Sequence, residues 1–317
     1  MPSVPTISVV IPSYNSGVYL RQAVASVLAQ KGDNFILKDI IIANDRSSDP
    51  VSCAVLEEVS QIPKVRVLVN EGHKGCPGAR NFAIRASDAD WLALLDADDA
   101  FLEGALAARM AALDAYPDAT WIGGDFIYCD AELRPSEQPF YATRPHTRDW
   151  LYGDAAAYVR LAQPVKIFAT ITLAMPSAVM VRRDRMLAHG LFDENLGKAE
   201  DIDMWLRLAR TEDYIFTRTP VTYYRIHGSS MTQIEPSRAW KIKIYEKHLH
   251  DPMMRECRAV LQRQIAKFLM EEARLLRQGR AINKLAAVFG RSLRYAPASP
   301  QAPFTVLQQL LAAAVGR

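Results

Sequence analysis

The chain has 317 residues, half of them hydrophobic, and a formal net charge of +3, so it can bury one large core or two smaller ones and fold without covalent staples. Its four cysteines, Cys53, Cys76, Cys129 and Cys257, lie far apart, which argues against a zinc site or a disulfide framework and for a reducing compartment. Met1 to Val10 has neither the basic flank nor the apolar run of a secretion signal, and no run of about 20 apolar residues could span a bilayer, so the expectation is a cytoplasmic protein, soluble or peripheral at the inner face of the membrane.

In chain order, Ile7 to Ile11 is a β-rich run closed by Pro12, and Leu20, Ala23, Val24, Val27 and Leu28 then recur at helical spacing. The pattern returns with Ile40 to Ile42 before a helix through Val51 and Val55, and with Val65 to Val69 before one through Phe82 and Ala83. It returns again with Trp91 to Leu95 before Phe101 to Leu113. Four strand-helix units in series predict an α/β fold, a mostly parallel sheet with helices on both faces.

From Asp130 to Pro164 the periodicity weakens and prolines accumulate, as in a long functional loop. Order resumes with a strand at Ser177 to Arg182, a helix from Glu200 to Arg210, and short strands at Tyr214 to Thr217 and Val221 to Tyr224. Beyond Pro236 the reading is all helix, with Cys257, Val260, Leu261, Ile265, Phe268, Leu269 and Leu276 as an apolar stripe. Charge is uneven: Arg238 to Arg317 holds fifteen Lys or Arg against five Asp or Glu, a surplus of ten that leaves −7 for the remainder. The stripe and its basic flanks fit packing against protein, a homodimer contact, or an anionic membrane surface; no nucleic-acid partner is expected.

In parallel sheets ligands bind beyond the carboxyl ends of the strands. Here those ends read Pro12-Ser13-Tyr14-Asn15, Asn44-Asp45-Arg46-Ser47-Ser48-Asp49, Asn70-Glu71-Gly72 and Asp96-Ala97-Asp98-Asp99. Three acids within four residues repel one another unless a positive group shares the site, and Mg²⁺ or Mn²⁺ held by one or two carboxylates plus substrate phosphates would serve. The competing reading has Asp99 capping a helix that begins near Phe101 while its neighbours face water.

These runs, with Ala79-Arg80-Asn81, Gly190-Leu191-Phe192-Asp193-Glu194, Glu200-Asp201-Ile202-Asp203-Met204-Trp205 and Tyr224-Arg225-Ile226-His227, resemble glycosyltransferase family 2, over about residues 5 to 232. The resemblance implies a GT-A (Rossmann-like) catalytic domain over 1–235, with a donor-binding half at about 5–130 and an acceptor half at 131–235, followed by an amphipathic helical extension over 236–317. It implies inverting, metal-dependent transfer of a sugar from a nucleotide-sugar donor, UDP being the family's most frequent carrier, to a glycan or lipid-linked acceptor in cell-surface polysaccharide synthesis. By the same resemblance Asp45 accepts from the donor's base, Arg80 lies near base and diphosphate, and Pro12, Tyr14 and Asn15 line that pocket. Asp96 falls to the ribose, and Asp98 of the Asp-x-Asp motif, with His227, to Mn²⁺ or Mg²⁺. Asp201 is the base, with Glu200 and Trp205 on the acceptor side. Plainer readings stand beside each role: Asx turns for Asp45 and Asp49, dipole complementation for Glu200, Asp201 and Asp203, a core position for Trp205, and a structural histidine at 227.

The chain departs from the family where Asp-Asp-Gly is usual, having Asn44-Asp45-Arg46, which removes easy access to a positive φ. The Gln-x-x-Arg-Trp signature of processive synthases is not evident, so single-sugar addition is expected. Two alternatives remain: a sugar nucleotidyltransferase, disfavoured because Pro12 to Gly17 is not a Gly-rich basic loop, and a catalytically silent binding module.

Overall fold

The computed structural model describes residues 4–136, 138–228, 237–278, 281–295 and 297–314. Two compact units emerge, one of Met1–Pro164 with Leu173–Ser230, the other of Val165–Thr172 with Met231–Arg317.

The first unit is built on a nine-stranded sheet. Its strands are β1 (Thr6–Ser13), β2 (Ile36–Asn44), β3 (Val65–Val69), β4 (Trp91–Leu94), β5 (Ala100–Phe101), β6 (Trp121–Cys129), β7 (Tyr158–Leu161), β8 (Val179–Arg182) and β9 (Tyr214–Arg225). The path is β3-β2-β1-β4-β8-β6-β9-β5, with β7 paired to β9. β3, β2, β1 and β4 run parallel, as do β6 and β9, while β8 runs antiparallel to both β4 and β6. Ile7, Val9, Val10, Ile11 and Ile40 to Ala43 are fully buried, because strands covered by helices on both faces can carry continuous apolar runs.

The helices follow from apolar spacing and caps. In α1 (Tyr19–Leu28) Leu20, Ala23, Val24 and Val27 form the buried face. In α2 (Pro50–Ser60) the Asp49 side chain accepts from the Ser52 amide and Pro50 takes the first turn, so Asp49 is the cap that an Asx reading expects. α3 (Cys76–Ala86) follows β3, and α8 (Arg183–Ala188) follows β8. The helix expected from Phe101 begins only at Ala105: Ala100–Phe101 pairs antiparallel with β9, and Gly104 at φ 71 turns the chain into α4 (Ala105–Met110) and α5 (Ala112–Ala115). Asp99 therefore caps no helix.

Three further departures have local causes. β6 escapes a sequence reading because Gly123-Gly124-Asp125 looks like a turn, yet a side chain at Gly123 would collide with the Tyr214 hydroxyl. The run from Asp130 to Pro164 contains α6 (Pro145–Leu151) and β7. Its anchor is the fully buried carboxylate of Asp125, which accepts from the amides of Tyr141 and Ala142 and, at 2.5 Å, from the Tyr152 hydroxyl. The two strands expected after residue 213 are one strand, with the register against β6 shifting around Asp125 opposite Pro220.

The second unit is helical: α7 (Val165–Thr170) and the helices Arg238–Leu249, Arg258–Gln278, Ile282–Leu293 and Gln301–Ala314. The apolar stripe is spent on this unit's own core, where Cys257, Leu261, Ile265 and Leu269 are buried and Phe268 stacks on Tyr245. Phe304 and Leu311 stay exposed. Among the described residues no helix is long and apolar enough to cross a membrane.

Candidate active site

The carboxyl ends of β1, β2 and β3 are tied together by short polar contacts. Asn15, at φ 49, donates its amide to Ser47 Oγ at 3.0 Å, and its side-chain oxygen accepts from the amides of Ser48 and Asp49. Pro12 is half-buried in β1 opposite Ala43. Tyr14 is 51% exposed with the Lys74 ammonium 5.1 Å from its ring centre, leaving a flat aromatic face at the edge of this cluster. Arg46 adopts φ 66 without glycine's freedom and anchors itself by donating to the Gly72 carbonyl at 3.1 Å.

Asp45 is a buried carboxylate with two bonds made: Oδ1 accepts from Asn70 Nδ2 at 2.7 Å and Oδ2 from the Gly75 amide at 2.8 Å. It shapes the loop from Asn70 to Gly75 and is not an Asx cap. Each oxygen keeps a second lone pair.

Arg80, buried on α3, joins two parts of the chain 120 residues apart. Its Nη2 pairs with Asp96 Oδ1 at 2.5 Å, its Nη1 pairs with Glu200 Oε1, and its guanidinium lies over the Phe192 ring. Glu200 and Asp201 open α9 (Glu200–Leu208), whose first turn gathers Glu200, Asp201 and Asp203. Asp203 is spent on Arg207 at 2.9 Å. Asp201 is half-buried. Burial and then the adjacent Glu200 charge push its carboxyl up to about 7, against an opposing pull from Arg80.

After β4 the three acids have three environments. Asp96, the partner of Arg80, is bonded through its amide to Ser177 Oγ. Asp98 Oδ2 lies 3.0 Å from His227 Nε2, and the His227 ring packs on Tyr19. Burial, then the Asp96 charge, raise the Asp98 carboxyl above its ordinary value, with His227 opposing. Asp99 is buried, accepts from Ser177 Oγ at 2.5 Å and from the Arg225 amide at 3.0 Å, and is raised well above the ordinary carboxylate range by burial and by Asp98.

Two residues with no role in the sequence reading hold this centre. Ser177, in a short turn before β8, bridges Asp96 and Asp99. Arg225, buried at the end of β9, donates from Nε to the Asp98 carbonyl at 2.5 Å and from Nη2 to Gln22 Oε1 at 2.7 Å, with its guanidinium over the Tyr19 ring. The signal for Arg225 was a cation closing an apolar strand; Ser177 had none. Trp205, offered as acceptor wall or core, is core: it is 1% exposed and stacks on Trp121 with ring centres 5.5 Å apart. Glu200, placed on the acceptor side by the resemblance, is buried and paired with Arg80.

The donor set tests the expected cation. Among the described residues no group of three His, Cys, Asp or Glu side chains forms a cage. Asp98 and His227 offer one carboxylate and one imidazole, with the Asp96 charge near enough to raise the Asp98 carboxyl; one or two protein ligands completed by phosphate oxygens are a usual way to hold Mg²⁺ or Mn²⁺.

Residues 8–175 match the model of glycosyl transferase family 2. An uncharacterized glycosyltransferase of Rickettsia typhi is 26% identical over 236 residues, covering 72% of this chain and 66% of that protein. An uncharacterized protein of Sinorhizobium fredii is 32% identical over 219 residues, covering 66% of this chain and 21% of its own length. The chain thus spans slightly under two thirds of the Rickettsia relative and about a fifth of the Sinorhizobium one. Among solved structures, S. aureus TarS 1–349 in complex with UDP-GlcNAc is similar with a TM-score of 0.66 at 16% identity, over 98% of this chain and 92% of that chain. A likeness at that identity speaks to the fold.

Proposed function

The chain belongs to glycosyl transferase family 2, and from that premise we propose that its first unit transfers a single sugar, with inversion, from a UDP-sugar to a hydroxyl of a glycan or lipid-linked acceptor. The observation that carries this reading is the Arg80 bridge. It binds Asp96, on the strand-end side where a nucleotide would lie, to Glu200, beside the Asp201 carboxyl that is pushed to about 7. The proposed donor side and the proposed proton acceptor thereby lie at the two ends of one ion-paired unit, with Asp201 adjoining Glu200 in the first turn of α9.

Inversion needs an acceptor hydroxyl to attack opposite the departing diphosphate while a base takes its proton. Asp201 suits that role, because near neutral pH a carboxyl poised at about 7 is both substantially ionised and a stronger proton acceptor than an ordinary aspartate. Burial, and beside it the charge of Glu200 fixed by Arg80, keep it basic. Asp96 is oriented by Arg80 and Ser177 toward the ribose, and Tyr14 offers its exposed face to the base while Asp45 retains lone pairs for an imide N–H. Asp98 and His227 would hold Mn²⁺ or Mg²⁺, which when bound supplies charge neutralisation for the leaving diphosphate. The UDP-GlcNAc complex of TarS favours UDP among nucleotides of similar size.

Calorimetric titration of UDP, TDP and GDP with and without Mn²⁺, on the native chain and on Asp98→Ala, tests the donor side. Metal-dependent binding of UDP that Asp98→Ala abolishes is expected; absence of binding by every nucleotide would overturn the assignment.

A further inference from the structure

α9 starts with no side-chain cap. Its N-cap residue, Ala199, is left-handed at φ 58 and has no acceptor to offer the first turn, the turn that carries Glu200 and Asp201. Leu191 is left-handed as well, at φ 62. Residues with a Cβ persist at such angles only where the surroundings over-determine them. The segment from Leu191 to Ala199 therefore takes its shape, and α9 its point of entry, from contacts made by other elements.

α3 makes those contacts at both ends of the segment through two neighbouring residues. Arg80 holds the far end by its pair with Glu200. Asn81, 1% exposed, holds the near end. Its Nδ2 donates to the Phe192 carbonyl at 2.8 Å and to Glu194 Oε1 at 2.9 Å, and its Oδ1 accepts from the Phe192 amide at 2.9 Å. One side-chain amide thus satisfies both backbone polar groups of Phe192, as the facing residue of a paired strand would. The Phe192 ring, itself buried, lies 5.4 Å from the Arg80 guanidinium and edge-on to Trp205 of α9 at 6.1 Å between ring centres. From the last turn of α9, Arg207 reaches back to the carbonyls of His189 and Leu191. The contacts close a circuit that runs from α3 through Phe192 to α9 and returns through Glu200 and Arg80.

We infer that Asn81 is a positioning residue for Asp201: by gripping the backbone of Phe192 it fixes the segment that leads into α9, and through the Phe192 ring it steadies the guanidinium that holds Glu200. The inference rests on the transferase reading, in which Asp201 takes the acceptor's proton, and deepens it. The charged groups that bear on Asp201 are Glu200 from its own helix, Arg80 from α3 and Asp96 from the end of β4; the Cys76 thiol, one turn before Arg80, bears on Glu200 in turn. Freeing Phe192 loosens Arg80 and lets water reach the first turn of α9. The Asp201 carboxyl then loses the burial and the fixed Glu200 neighbour that raise it.

The test uses the full chain carrying ¹³C at the aspartate side-chain carboxyls. The Asp201 signal, identified by its disappearance in Asp201→Asn, is followed by NMR through a pH titration. The native midpoint should lie near 7. In Asn81→Ala it should fall by about one unit or more, a tenfold rise in the acid dissociation constant. Phe192→Leu leaves Asn81 in place and removes only the ring; it should move the midpoint in the same direction, which keeps the test decisive should Asn81→Ala not fold. Ser87→Ala is the control. Its hydroxyl, buried just beyond the other end of α3, donates to Ser8 Oγ, so its loss weakens the fold and should leave the Asp201 midpoint where it was. A midpoint unmoved by Asn81→Ala and Phe192→Leu, or moved as far by Ser87→Ala, would overturn the inference, as would a native midpoint in the ordinary aspartate range. Calorimetric titration of the native chain with UDP separates the two claims. Absence of UDP binding would overturn the transferase reading, while the Asp201 midpoints still decide whether Asn81 places that carboxyl.

Discussion

The loop after β2 and the first turn of α9 each bring an aspartate out of water, and the two acids end in opposite conditions. Asp45 is surrounded by donors: the Asn70 amide and the Gly75 backbone N–H take both oxygens. Asp201 is surrounded by the Glu200 charge and by burial, with only partial relief from Arg80 and the Ile202 amide. A carboxylate whose oxygens are taken by fixed donors is tied into its loop, whereas a desolvated one left short of donors has its acidity weakened, as a general base requires. The same residue type therefore holds a loop in one place and, on the proposed mechanism, takes a proton in the other.

The largest test of this contrast is Asp201→Asn. It removes the proposed base while nearly keeping shape, and kcat should fall about 10²- to 10⁴-fold with UDP affinity retained, checked by product formation and calorimetry side by side. An unchanged kcat would remove Asp201 as base. Asp45→Ala should behave in the reverse sense. It strands the half-buried Gly75 N–H and takes one of two acceptors from the buried Asn70 amide, which keeps the His73 carbonyl, so unfolding should become easier by about 1–3 kcal/mol, read as a lower midpoint in a denaturant titration.

The smallest effect sharpens the contrast through pH. The folded carboxyl of Asp201 is raised from 3.8 to about 7, so the native state binds the proton more tightly than the unfolded chain. Its contribution to stability is therefore full below pH 4 and is lost as pH rises toward 7. Asp201→Asn should be more stable than the native chain by at least about 1 kcal/mol at pH 8, and the gap should close near pH 4. Denaturation curves at the two pH values check this; a gap independent of pH would mean that burial does not set the acidity of Asp201.

Much of the fold is legible in the sequence, because the apolar runs of β1, β2 and β4 are strands buried on both faces and α1 carries a clean apolar face. β6 was illegible: its two glycines exist to admit the Tyr214 hydroxyl and the side chains of Thr217 and Val221, partners about 90 residues away that no local pattern reveals. The site divides in the same way. Asp96, Asp98 and Asp99 announce themselves by crowding, whereas Ser177 and Arg225 act across 78 and 127 residues and leave no trace in spacing. Trp205 could be read either way until Trp121, invisible as a strand residue, supplied its stacking partner.

Arg46 stands where the family pattern has glycine, yet it keeps glycine's backbone angle, with a guanidinium-to-carbonyl tether in place of missing conformational freedom. At this position the chain keeps the dihedral angle and changes the residue. A pattern search that insists on glycine there would pass over this chain, while one that scores the turn's geometry would find it.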